Sequence, residues 1–108
     1  MVKDICRFDI VLVKLNPIVG SEIQKTRPCI IISPNEMQAL KTVIIAPMTS
    51  KGFNYIFRPN IHFEGTDGLV LLDQIRAVDK SRIVKNIGKV EEKTAQLITV
   101  MLQEMFRY

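Results

Sequence analysis

The apolar residues of this chain are grouped into runs of strand length. What lies between the runs is turn, or at most about two turns of helix. "PCIIIS" (residues 28–33) and "TVIIAPM" (residues 42–48) are continuous apolar runs, and "GLVLLDQIRAV" (residues 68–78) is apolar enough for a central strand. "FDIVLVKL" (residues 8–15) is rich in β-branched residues and is stopped by Asn16-Pro17; "YIFRPNIHF" (residues 55–63) alternates around Pro59, which marks an edge or bulged strand. Parallel pairing would require crossover helices between strands, and none is long enough. The spacing therefore predicts a mainly β chain, a small bent antiparallel barrel. Residues from Pro34 and Asn35 onward supply one short helix.

The C-terminal segment changes period. Leu97, Ile98, Met101, Leu102, Met105 and Phe106 recur at spacings of three and four, which predicts a terminal helix with one apolar face closing the barrel. Glu91 and Glu92 near its start and Arg107 near its end suit the helix dipole. No linker, repeat or low-complexity stretch divides the 108 residues, so residues 1–108 are read as one domain.

Composition excludes several classes. Cys6, Cys29 and a single histidine, His62, do not make a zinc spacing, and no metal or cofactor is expected. Both thiols read as reduced, with Cys29 a small core residue. The apolar runs are far shorter than the roughly 20 residues of a membrane helix, and the N-terminus has no secretory pattern. A soluble cytoplasmic protein without a membrane partner follows. Fifteen Lys and Arg against eleven Asp and Glu give a net charge of +4, a balance that favours a polyanion such as nucleic acid.

Polar residues collect at the ends of the apolar runs. Ser21, Glu22, Lys25 and Arg27 precede the second run, Thr49, Ser50 and Lys51 follow the third, and Asp73, Gln74 and Arg76 interrupt the last. Asp73 and Gln74 read equally as a buried structural pair or as a nucleic-acid contact. Thr49 and Ser50 can form a simple turn. Phe53 and Tyr55 can stack on splayed bases or pack their own loop. His62 reads as a solvent-facing strand residue.

In order and spacing, "NPIVGSEIQKTRPCIIISPN", "APMTS" and "GLVLLDQIRAV" resemble the MazF/PemK family of toxins from bacterial toxin–antitoxin pairs. The resemblance implies an SH3-like barrel that forms a homodimer and cuts single-stranded RNA at short motifs without a metal. It also implies an antitoxin whose acidic C-terminal segment occupies the RNA groove, and DNA as a partner of the toxin–antitoxin complex. By resemblance Arg27 and Thr49 are the catalytic pair, Arg27 stabilising the charge that grows on the phosphate; for the 2′-hydroxyl proton the first candidate acceptor is Glu22 and the second Asp73. Ser21, Lys25, Ser50, Lys51, Phe53, Asp73, Gln74 and Arg76 become RNA-binding candidates. Two positions depart from the pattern: some members carry histidine where this chain has Ser21 and arginine where it has Leu71. That departure keeps open an alternative from another class, a non-catalytic barrel that binds nucleic acid or antitoxin. A DNA gyrase poison on the related scaffold matches the Arg-Pro and Thr-Ser positions less well.

Overall fold

The structure, a computed structural model, describes residues 5–15 and 26–108. Among these residues seven strands, β1 (Asp9–Lys14), β2 (Thr26–Ile31), β3 (Thr42–Thr49), β4 (Asn60–Phe63), β5 (Thr66–Val70), β6 (Arg76–Asp79) and β7 (Ile83–Lys89), precede one α-helix, α1 (Glu92–Met105). All pairings are antiparallel, in the order β4-β5-β3-β2-β1-β7, with β6 on β3. The mainly β reading holds. The sheet curls until Phe63 of β4 lies against Gly88 of β7: a Cβ on that glycine would stand 2.8 Å from the phenyl ring. β4 and β7 exchange no ladder, so the barrel is open along this seam.

Both faces of the central strands are buried, which is why their sequences run apolar without alternating. Ile10, Ile30, Ala46 and Met48 face a cluster completed by Ile61, Val70, Leu72 and the α1 residues Ala95 and Ile98. Their neighbours Val11, Val13, Cys29, Ile31, Val43 and Ile45 face a second cluster with Val78 and Ile83. A 14-residue helix is marginal alone in water, so packing decides its formation. Fully buried Ile98 contributes about 1.5–3 kcal/mol to that packing.

Several elements differ from the sequence reading. The short helix is one 3-10 turn, Asn35–Met37. The strand read at residues 55–63 begins only at Asn60, because Arg58 N–H donates to Tyr55 O (3.1 Å) and Phe57 takes φ +64, closing a turn. The run at residues 68–78 is not one central strand; it breaks after Val70 into a 3-10 turn at Leu72–Gln74 and resumes as β6. The centre belongs to β3. On α1, Ile98 is buried and Met101, Leu102 and Met105 are half-buried, but Leu97 (44 % exposed), and Phe106 (69 %) just past the helix end, point away from the core. Leu97 directly precedes Ile98 and so lies about 100° around the helix from it, and the two do not share a face.

Candidate functional site

Two prolines shape the mouth of the barrel. Cys29 of β2 pairs with Pro47 of β3, and that is the last rung between these strands. Neither Pro28 nor Pro47 has an N–H to extend the ladder. Beyond the rung β2 stays on β1, with Val13 opposite Arg27 and Leu12 opposite Pro28. β3 instead pairs its other edge with β5, Met48 opposite Val70 and Thr49 opposite Leu69. The two strand ends part, and a groove of about 570 Å³ opens between them.

Leu12, Pro28, Met48, Ile61, Phe63 and Ile87 give the groove an apolar floor. Arg27, Thr49, Ser50 and Lys51 stand on its rim together with Thr26. Arg27 is exposed and makes no ion pair or side-chain hydrogen bond with any described residue. Behind it, Cys29 is fully buried. Burial pushes that thiol up to about 12 although Arg27 and Arg76 pull it down; Cys29 is the small core residue the sequence suggested, and it anchors the backbone that carries Arg27.

The Thr49 hydroxyl donates to Lys51 O (2.7 Å) and accepts from Lys51 N–H (3.1 Å). The turn reading of Thr49 is thus correct, and the turn itself lines the groove. A glycine makes this possible. A Cβ at Gly68 would stand 2.7 Å from the Thr49 carbonyl oxygen, so only glycine lets β5 approach there.

The opposite rim holds residues that sequence reasoning missed: Glu64, Thr66 and Asp67 of the β4–β5 hairpin. Its two-residue turn, Glu64 (φ +51) and Gly65 (φ +75), matches the type I′ geometry favoured in hairpins. "FEGT" was the available signal. His62 Nδ1 lies 2.6 Å from Asp67 Oδ1, and both residues are exposed. His62 does not line the groove of Arg27; it borders a second hollow between β4 and the start of α1.

Asp73, Gln74, Arg76 and Phe53 are not among the residues lining the groove. Asp73 and Gln74 are exposed on the 3-10 turn, so the buried-pair reading fails. Asp73 instead receives Arg58 in a two-pronged pair, Nε to Oδ1 3.0 Å and Nη2 to Oδ2 2.9 Å. That hydrogen bonding holds the Asp73 carboxyl below the usual carboxylate range and raises Arg58. Arg76 is exposed on β6 opposite Ile45. Leu71 is buried, its N–H donating to Pro47 O (2.8 Å). Ser21, Glu22 and Lys25 lie outside the described residues. Among the described residues no three His, Cys, Asp or Glu side chains cluster, and no helix is long and apolar enough to cross a membrane.

Comparison with known proteins agrees with this architecture. Residues 6–106 match the family described as PemK-like, MazF-like toxin of type II toxin-antitoxin system. Endoribonuclease PemK of Escherichia coli is 35% identical over 97 residues, 82% of this chain and 72% of that protein. Endoribonuclease MazF of Staphylococcus saprophyticus is 30% identical over 94 residues, 81% and 78% of the two chains. In fold, MazF from Deinococcus radiodurans superposes with a TM-score of 0.76 at 22% identity, covering 95% of this chain and 96% of that one. A mycobacterial endoribonuclease solved in complex with its cognate antitoxin gives 0.77 at 18%, covering 94% and 93%.

Proposed function

Since this chain belongs to the PemK-like, MazF-like toxins of type II toxin–antitoxin systems, we propose that it is the toxin of such a pair, a sequence-specific endoribonuclease that cuts single-stranded RNA without a metal. The observation that carries this reading is the meeting of Arg27, Thr49, Ser50 and Lys51 on one groove at the divergence of β2 and β3. An exposed guanidinium whose fork is not used by any described residue suits phosphate oxygens whose charge grows during reaction.

In the proposed step the 2′-oxygen attacks the adjacent phosphorus as the bond from phosphorus to the 5′-oxygen breaks. One strand ends in a 2′,3′-cyclic phosphate and the other in a 5′-hydroxyl, whose leaving oxygen takes its proton from solvent. Arg27 binds the phosphate, the Thr49 hydroxyl exchanges its bond to Lys51 O for one to a second phosphate oxygen, and Glu22 remains the proposed acceptor of the 2′-hydroxyl proton. Ser21, Lys25, Ser50 and Lys51 are assigned to RNA binding. Asp73, Gln74 and Arg76 stand apart from this groove, and any RNA contact they make belongs to a longer substrate track. The toxin acts in the bacterial cytoplasm as a homodimer, its groove covered by the acidic segment of a cognate antitoxin, and the resulting complex binds DNA. Exposed Leu97, Val100 and Phe106 on or just beyond α1 are the apolar surface offered to the dimer.

The test is incubation of the purified protein with a long RNA in EDTA, followed by sequencing of the ends. Defined cuts with cyclic-phosphate ends support the enzyme. RNA that is bound tightly and stays intact assigns the chain to the non-catalytic barrel.

A further inference from the structure

The loop that leaves the groove at Lys51 carries three exposed apolar side chains, Phe53 (67 % exposed), Tyr55 (64 %) and Ile56 (64 %). Such side chains on a free loop collapse or move, whereas these are held. The rings of Phe53 and Tyr55 meet edge to face, centroids 6.0 Å apart. The Arg58 guanidinium lies over both, 5.3 Å from the Phe53 centroid and 6.0 Å from that of Tyr55. Its Nε and Nη2 are committed to Asp73, and Phe57, at positive φ, packs against the main core. The loop is thereby fixed at Phe57 and at Asp73, with aromatic surface left facing solvent.

We propose that Phe53 and Tyr55, braced by Arg58 and Asp73, form a stacking platform for an unpaired RNA base beside the cleavage groove. The inference rests on the RNA-cutting reading of that groove and adds to it a second subsite. Three observations favour a base as the occupant. The platform is continuous with the groove rim, since Phe53 follows Lys51 by two residues. Arg58, already paired, offers little to a phosphate, so what remains for contact is π surface. Aromatic faces on a basic protein are the usual partners of splayed single-stranded bases.

The chain contains no tryptophan, so Phe53→Trp introduces a single indole, which is excited selectively at wavelengths where Tyr55 and Tyr108 do not absorb. The full-length variant is titrated with a 2′-O-methyl single-stranded RNA, which cannot undergo 2′-oxygen attack. Saturable quenching of the emission is expected. In parallel, Phe53→Ala should weaken binding of the same RNA by about 5-fold or more, the effect of losing one stacked base. It should raise KM for a cleavable RNA and leave kcat nearly as in the parent protein. No quenching and unaltered affinity in a protein that still cuts RNA overturns the platform and spares the endoribonuclease reading. Failure of the parent protein to bind or cut any RNA overturns both. Quenching by an acidic peptide but not by RNA reassigns the platform to a protein partner and overturns the proposal.

Discussion

Arg27 and Arg58 hold the same guanidinium in opposite circumstances. Arg58 is 15 % exposed, its fork taken by Asp73 and its face laid on two aromatic rings. Arg27 is exposed at the end of a strand whose backbone is rigidly paired, and no described residue occupies its fork. A cation whose fork is taken is structural, and one held in place with its fork unused by any described residue is open to a ligand. The contrast separates the groove from the loop that leads out of it.

The contrast breaks most clearly at Arg27. Arg27→Ala should lower RNA cleavage by about 100-fold or more, the scale of removing one transition-state donor, with Tm close to the parent's. Arg27→Lys should recover little, since a point charge does not reproduce the planar fork. Next comes Gly68→Ala, which drives a methyl group into the Thr49 carbonyl. It should destabilise the fold by about 1–3 kcal/mol, as overpacking does, and reduce cleavage by displacing the Thr49 turn; paired denaturation and activity measurements check both. Asp73→Asn should act more weakly, with a fall in Tm of a few degrees at most and a smaller loss of RNA affinity than Phe53→Ala.

The pH dependence of that last difference carries a sign. Asp73 is held below its ordinary range by Arg58, so the brace contributes fully above the unfolded carboxylate value, about 3.9, and is lost as pH falls through the lowered folded value. The Tm gap between parent and Asp73→Asn should therefore be constant from about pH 5 upward and close in stronger acid. The smallest effect expected is at Cys29. Its thiol, buried and raised to about 12, should resist alkylation at pH 8 while the protein is folded, as read by mass spectrometry, and react once denatured.

Much of the fold is written in local pattern. The runs at residues 28–33 and 42–48 became β2 and β3 because apolar strands buried on both faces look alike at any position. Arg27 and Thr49 were visible because each flanks such a run. The break at Leu71 was not, because a buried leucine suits a strand or a turn equally and the choice is made by its N–H reaching Pro47 O. β7 escaped notice because its exposed Val84, Lys85 and Asn86 dilute the buried Ile83 and half-buried Ile87. Arg58 and Asp73 lie fifteen residues apart, and their pairing exists only once the 3-10 turn and the β3–β4 loop are folded against each other. A charge near an apolar run announces itself in sequence; whether another residue satisfies it does not.

The most direct test of this account is the single-turnover cleavage rate of Arg27→Ala and Arg58→Ala at saturating concentrations of the same single-stranded RNA. Loss of about 100-fold or more in the first, with the second within a fewfold of the parent, is the predicted result. Full cleavage by Arg27→Ala, or an equal loss in both variants, would contradict the division between an arginine kept for substrate and one spent on the fold.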